Sequence, residues 1–400
     1  MIQSLAVRPG RGVVLTWGPS RFYLDSLLVL AAFGLLILGF IMVSSASLHL
    51  GDKLAADSFF FPKHQLVHIA GGALLALGVA TVRLETWERS SMTLFVAGLG
   101  LLVLVLIPGL GTKVNGATRW LSLAGVRIQV SEVFKLIAVI YMASYISRHL
   151  RTVRSSVLGM IFPLSLLAVG SVFLLLEPDF GATAVIMATA LGMLFLAGAR
   201  LWQFGVLVGL AVLASVVLVL SAEYRVRRVL SFLDPWKDPL DSGFQLTQAL
   251  IAFGRGEWTG VGLGSSVQKL FYLPEAHTDF LFSVIGEELG LVGACAVILL
   301  FAVVVWRAFV IGKLAETQGM RFAAFLAYGI GVWFGLQAFI NMGVNMGMLP
   351  TKGLTLPLMS YGGGSMIVTC AALAVLLRVR SEAMERRYSG PRMRTAWVRA

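Results

Sequence analysis

Residues 273–280 read LPEAHTDF and place Glu275, His277 and Asp279 at alternate positions just before a long apolar run. Two carboxylates and an imidazole in five positions suit proton transfer. Asp279 opens the apolar run. A carboxylate at a membrane–water boundary is partly desolvated, which raises its pKa toward that of a useful base. The plainer alternative is a helix N-cap, where Asp is favoured and Thr278 could share the task. His277 is a rival base, or else a solvated loop histidine. Glu275 follows Pro274 and reads most simply as an exposed turn residue.

Other groups sit within or beside apolar runs. Glu132 and Lys135 are three apart and so share one helix face. Ionisable groups inside a span are costly and face a partner or a cavity, so the pair is either functional or a structural ion pair. Glu287 and Glu288, in GEELG, fall about two turns beyond Asp279 and are expected to hydrogen-bond neighbouring spans in a structural role. In GATRWLSLAGVRIQVSE, Gly116 to Glu132, Arg119 beside Trp120 suits a phosphate; the alternative is the interfacial belt of any membrane protein. In LPTKGLTLPLMSYGGGS, Leu349 to Ser365, Lys352 is a candidate anion contact, and Ser360 and Ser365 are candidate substrate contacts. Pro350, Pro357 and Gly362 to Gly364 there imply irregular backbone at membrane depth, which only protein or a water-filled cavity tolerates. EPDFGATA, Glu177 to Ala184, reads as a tight turn between spans, with Glu177 and Asp179 alternatively lining the same cavity. Zinc-ligand sets, Ser–His–Asp order signatures, phosphate-loop and dinucleotide-loop patterns are lacking, so soluble-enzyme templates do not fit.

The elements that must position these groups are membrane helices. The chain has 400 residues, 58% hydrophobic and 13% charged, with a mean hydropathy of +0.86. A soluble domain cannot hide that much apolar surface. Runs of about 20 apolar residues span a bilayer as single helices. Ten such runs occur, near 23–46, 66–83, 91–108, 131–147, 157–176, 182–199, 203–222, 280–306, 322–344 and 361–378. The first is too long for a signal-peptide core and is expected to be retained. With the N-terminus cytoplasmic, Arg148, Arg151, Arg154, Arg200, Arg307, Arg321 and the arginines of the tail all fall inside, as the positive-inside rule requires, and ten spans return the C-terminus to the cytoplasm. The net charge of +12 is thus mostly juxtamembrane, which suits topology and anionic lipid rather than nucleic acid. Cys295 and Cys370 fall inside spans and read as packed thiols.

The expected organisation is a polytopic all-α membrane protein: a loose basic tail over 1–22, one membrane domain over 23–380 and a basic tail over 381–400. Within the domain, 223–279 forms a large extracytoplasmic loop between helices 7 and 8. In that loop FQLTQALIAFGRG has helical spacing and either lies in the interface or re-enters the bilayer. GEWTGVGLGSSVQK is dense in glycine; it is a flexible turn, or its N–H groups approach an anion.

LPEAHTDFLFSVIGEELG and NMGVNMGMLPTKGLTLPLMSYGGGS resemble signature blocks of the SEDS family (shape, elongation, division and sporulation proteins). GATRWLSLAGVRIQVSEVFK and EPDFGATA resemble two more. The blocks run from about 111 to 365, and ten spans match the family. EAHTDF, QALIAFGRGEWTGVGLGSSVQK and PTKGLTLPL resemble its cell-division branch more than its elongation branch. The resemblance implies polymerisation of peptidoglycan glycan strands from lipid II, an undecaprenyl-pyrophosphate-linked disaccharide pentapeptide. The enzyme would sit in the bacterial cytoplasmic membrane at the division septum. Implied partners are a class B penicillin-binding protein that crosslinks the strands and other division proteins. The family's invariant carboxylate falls on Asp279, and its intramembrane Glu/Lys pair on Glu132 and Lys135. This chain departs in having Val130 for a usual proline, Glu177 for a usual glutamine, and GGGS for GGSS.

The donor bond in lipid II is α and the product bond is β, so one inverting displacement suffices, with a base on the attacking hydroxyl. Pyrophosphate leaves readily once cations neutralise it. The resemblance therefore implies Asp279 as base and Lys135, Arg119 and Lys352 as pyrophosphate contacts, with Glu132 orienting Lys135 or helping to bind an ion. A magnesium or manganese ion is an optional helper, and no organic cofactor is implied. Two other readings compete: a lipid II flippase, which needs a polar path to the cytoplasmic side, and a non-catalytic scaffold that activates the penicillin-binding partner.

Overall fold

The computed structural model describes residues 4–389 apart from 9–11, 18–19, 115–116, 124–125, 222, 240, 242, 271–272 and 352. Each apolar run becomes a helix. In order these are α1 (Ser26–Ala55), α2 (Phe60–Thr81), α3 (Leu84–Leu106), α4 (Val130–Ser155), α5 (Val157–Leu176), α6 (Phe180–Leu196) and α7 (Leu201–Leu220); then α10 (Leu281–Thr317), α11 (Arg321–Asn345) and α12 (Gly363–Ser389). Among the described residues, nine of them are long and apolar enough to cross a membrane. The remaining one, α6, has 17 residues. Two shorter helices, α8 (Glu223–Leu233) and α9 (Phe244–Gly256), lie between α7 and α10.

Helices α4, α11 and α12 form the buried centre of the bundle, whereas α7 is almost wholly exposed. Ion pairs order one end. Asp25 caps α1 by accepting from the Leu28 amide at 3.0 Å. Its carboxylate also binds Arg307 of α10 and Arg380 of α12. The start of α1 and the later halves of α10 and α12 therefore share one face, which we call the arginine-rich face. Asp279 and the 346–362 segment lie at the opposite ends of α10 and α12.

Two antiparallel meanders flank the helices. The N-terminal stretch, expected as a loose tail, forms β1 (Ser4–Arg8), β2 (Gly12–Trp17) and β3 (Ser20–Leu24). Short β-branched stretches, with Pro9-Gly10 and Gly18-Pro19 between them in the sequence, favour that geometry over disorder. The buried Tyr23 ties the meander to α12, its amide donating to Ser381 Oγ at 3.2 Å. Helix α12 runs past the expected domain end at Arg380 to Ser389; residues 390–400 lie outside the described residues. Between α3 and α4, β4 (Gly111–Val114), β5 (Ala117–Leu123) and β6 (Val126–Gln129) pair in sequence, with Trp120 opposite Gln129. This meander carries Arg119 and delivers the chain into α4.

The stretch that follows α9 packs against α10 instead of standing off it as a free loop. Helix α10 breaks at Gly290 (φ +65°), a left-handed geometry that glycine adopts freely. The segment 257–262 lies along the break. The amides of Val261 and Gly262 donate to the carbonyls of Glu287 and Glu288, and those of Leu291 and Val292 to the carbonyls of Glu257 and Trp258, at 2.9–3.1 Å. Backbone groups that would be orphaned in hydrocarbon are thus satisfied. Gly260 (φ +81°) fits because a Cβ there would lie 2.1 Å from the Glu288 carbonyl oxygen.

The glycine-rich stretch does approach an anion, and the anion is the protein's own. The fully buried Glu287 accepts from the amides of Val267 (3.1 Å) and Gln268 (3.4 Å), from the Ser266 hydroxyl and from Arg255 (3.3 Å). Glu288, equally buried, binds Lys269 at 2.7 Å and Ser45 of α1 at 2.8 Å. Both glutamates thus clasp the hairpin to α10, and Ser45 is the partner from a neighbouring span that their sequence context leads one to expect. Cys370 is buried and Cys295 exposed, and both are free thiols.

Candidate functional site

The turn carrying Asp279 is fixed by its backbone. Thr278 and Phe280 amides donate to the Glu275 carbonyl at 3.1 and 3.2 Å. The Tyr361 amide donates to the His277 carbonyl at 2.9 Å. Asn341 and Asn345 of α11 both donate through Nδ2 to the Asp279 carbonyl at 2.9 Å. Asn345 also accepts from the Ser283 amide and hydroxyl, which pins the first turn of α10 to α11.

The Asp279 side chain is left for other work. It is not a cap: the N-cap position of α10 is Phe280, with no side-chain capping bond. Thr278 turns instead to Glu275, donating to its Oε2 at 2.7 Å. The half-buried Asp279 carboxylate lies against Gly353, where a Cβ would come within 2.9 Å of Oδ2. Burial and the nearby carboxylates of Glu275 and Asp179 push its pKa up, Arg119 pulls it down, and the result is about 7.

The turn between α5 and α6 therefore belongs to this site and is more than a connection. Arg119 donates through Nε to the Glu177 carbonyl at 2.9 Å and through Nη2 to the Pro178 carbonyl at 2.5 Å, which seats β5 on the turn. Asp179 caps α6 through the Ala182 amide at 3.1 Å and accepts from Gln129 at 3.2 Å. The Glu177 carboxyl is buried, and among the described residues neither of its oxygens has a hydrogen-bond partner. Burial, then Asp179, raise its pKa to about 8 against the pull of Arg119.

His277 is buried rather than solvated. Its ring lies 4.8 Å from Phe61 and 5.5 Å from Tyr361, and burial pushes its pKa down although Glu275 opposes this. Glu275 is exposed, as its sequence context suggests, at a left-handed φ of +55°.

Glu132 and Lys135 form a buried ion pair at 2.8 Å, with side-chain exposures of 5% and 1%. Lys135 also donates to Gln337 Oε1 at 2.7 Å and lies 5.6 Å from the centre of the Trp333 ring. Glu132 Oε2 has no partner among the described residues. Gln337 links the pair to the segment beside Asp279, its Nε2 donating to the Thr355 carbonyl at 2.9 Å. Asn341 donates to the next carbonyl, that of Leu354, at 2.5 Å.

Gln337, Asn341 and Asn345 thus make an amide ladder along one face of α11. They were not singled out in the sequence. Their spacing at i, i+4 and i+8 in an otherwise apolar span was the available signal. Ser360 accepts from the Leu356 amide at 2.9 Å, and Ser365 accepts from Thr355 Oγ1 at 3.0 Å, so both hydroxyls brace the 353–365 segment. Lys352 lies outside the described residues. Among the described residues no three His, Cys, Asp or Glu side chains converge as metal ligands.

Fold and site together define a polytopic membrane protein with a carboxylate-centred polar site at one membrane boundary. The family model described as "Cell cycle protein", which spans FtsW, RodA and SpoVE, matches residues 25–385. The chain belongs to this family. It is 74% identical over 379 residues to a protein of Methylococcus capsulatus named "Probable peptidoglycan glycosyltransferase FtsW", covering 95% of each chain. A protein of the same name from Methylomonas methanica is 60% identical over 365 residues, covering 91% of this chain and 94% of the relative. Among solved structures, one titled "Structural coordination of polymerization and crosslinking by a peptidoglycan synthase complex" matches with a TM-score of 0.72 at 29% identity, over 90% of this chain and 98% of that one. The rod shape determining protein RodA of Thermus thermophilus matches with a TM-score of 0.65 at 28% identity, over 89% and 96%.

Proposed function

We propose that this protein is a peptidoglycan glycosyltransferase that polymerises lipid II for septal wall synthesis, with Asp279 as general base. The carrying observation is the Asp279 carboxylate: its backbone is clamped by Asn341 and Asn345, while its side chain has no hydrogen-bond partner among the described residues and a pKa near 7. A base with that pKa is half ionised at neutral pH and strong enough to take a proton from a sugar hydroxyl as the bond forms.

The arginine distribution supports an Asp279 face outside the cell. Lipid II presents its sugars and pyrophosphate at that boundary while its tail stays in the bilayer. Asp279 takes the proton of the acceptor 4-hydroxyl, the oxygen attacks the donor C1, and the undecaprenyl pyrophosphate departs with the bonding electrons. The configuration inverts from α to β. Arg119, Lys135 and Lys352 supply positive charge for the leaving group, and Glu132 holds Lys135 in place. With no three-ligand cluster among the described residues, a magnesium or manganese ion would be carried mainly by the pyrophosphate, with Glu132 Oε2 as a free protein ligand, and would neutralise leaving-group charge. The strands then pass to a class B penicillin-binding protein for crosslinking.

The test is glycan polymerisation by the purified protein with its class B partner and labelled lipid II, comparing wild type with Asp279→Asn. Polymer from wild type alone supports the assignment. Polymer from both keeps the enzyme and removes Asp279 as base. No polymer from either, in a preparation that binds lipid II, turns the question to flipping in liposomes.

A further inference from the structure

On the arginine-rich face, away from Asp279, a cavity of about 510 Å³ opens between the end of α4 and the start of α11. Arg148, His149, Arg151, Arg154 and Arg321 line it together with Ser147, and no carboxylate does. A break in α4 at His149 (φ −115°, ψ 26°) precedes the last turn, which carries Arg151 and Arg154. Two of the arginines are tethered by a single bond each. Arg148 donates through Nη2 to the Glu88 carbonyl at 2.7 Å, and Arg154 through Nε to the Ala197 carbonyl at 2.8 Å. Among the described residues Arg151 and Arg321 have no ion pair.

The nearby acids lie outside the cavity: Arg321 also borders an adjoining cleft lined by Glu85, Glu88, Glu382 and Glu385, and Glu316 is within electrostatic reach of Arg154. Glu88 takes the Ser147 hydroxyl at 2.9 Å and faces the adjoining cleft. Glu316 is bound to Lys313 and Tyr328, at 3.1 Å each.

Four guanidinium groups around one cavity repel each other, and an anion between them turns that repulsion into attraction. Guanidinium forks suit phosphate oxygens in particular. The cavity lies where three helices leave the bilayer: α4 ends there, α11 begins there, and Arg154 reaches the α6–α7 turn. A phosphate on a lipid headgroup sits at that depth.

We propose that this cavity binds the phosphate headgroup of an anionic membrane lipid, phosphatidylglycerol or cardiolipin. The site is separate from the Asp279 site and does not depend on the glycosyltransferase reading. The phosphodiester lies between Arg151 and Arg321, with Arg148 and Arg154 behind it.

The test uses the full chain reconstituted with phosphatidylglycerol, cardiolipin or phosphatidylcholine, and counts retained lipids by native mass spectrometry. Arg151→Ala/Arg321→Ala removes two unpaired, exposed arginines from the cavity. Arg386→Ala/Arg387→Ala removes the same charge from the same face outside it. The expected result is anionic-lipid affinity about 30-fold weaker in the first variant and unchanged in the second, with phosphatidylcholine retained by neither and lipid II binding intact in both. Equal losses in the two variants would show a diffuse charge effect and overturn the site, as would no loss in either. Inorganic phosphate protecting against heat as well as the lipids do would overturn the lipid assignment.

Discussion

Asn341 donates one amide hydrogen to the carbonyl of Asp279 and the other to the carbonyl of Leu354. The residue thereby sets the distance between the turn that bears the proposed base and the segment that walls it. Asn341→Leu removes both bonds while leaving the Asp279 carboxyl intact. Misplacement by about 1 Å costs on the order of a hundredfold in rate. Glycan polymerisation should fall by that order with lipid II binding largely retained; a rate within twofold of wild type would remove Asn341 from the positioning machinery.

The pH dependence follows from Asp279. Its pKa is raised to about 7, and the base acts deprotonated. Polymerisation should therefore rise with pH through about 7 and level off above it. A single-turnover profile flat between pH 6 and pH 8, about one unit either side of that value, would assign the base to another group.

The Glu132–Lys135 pair makes a separate stability prediction. Lys135→Met leaves Glu132 as an unpaired buried charge, at a cost of roughly 3–5 kcal/mol. Glu132→Gln/Lys135→Met should recover much of the thermal stability but not the polymerisation rate. Recovery of both would make the pair structural only.

The Glu177 carboxyl is held near pKa 8, above its ordinary 4.5. A raised carboxyl pKa gives stability that is fully present below 4.5 and lost as pH rises toward 8. Glu177→Gln should thus raise the melting temperature progressively over that window, with a constant gain above it. A gain that does not vary with pH would contradict the buried, partnerless carboxyl.

Gly260 tests the hairpin. A Cβ there meets the Glu288 carbonyl oxygen at 2.1 Å, so Gly260→Ala should open 257–262 to proteases and lower the melting temperature while α10 still inserts. Unchanged protease resistance would show that the hairpin tolerates separation from α10.

The helices were legible because lipid imposes a simple requirement, about 20 apolar residues per crossing, and every expected run has its helix. The polar site was only half legible. Asp279 and the Glu132–Lys135 pair stand out as charges against apolar surroundings. Gln337, Asn341 and Asn345 carry no charge and pass as ordinary span residues, although they join the two charged groups. Glu177 and Asp179 read first as a common turn and only alternatively as cavity lining, and the fold favours the second by bringing them near Asp279. The strands of both meanders escaped notice because each is seven residues or shorter, too short for alternation to register.

The break in α10 also constrains the order of assembly during synthesis. The hairpin over 244–270 emerges from the ribosome before residues 287–292, which supply its backbone partners. Peptide groups without partners do not enter hydrocarbon. The pairing of the hairpin with α10 must therefore form after α10 is made, as a late step of assembly. Lys269 then reaches Glu288, and Ser45 closes the joint from a helix made more than two hundred residues earlier.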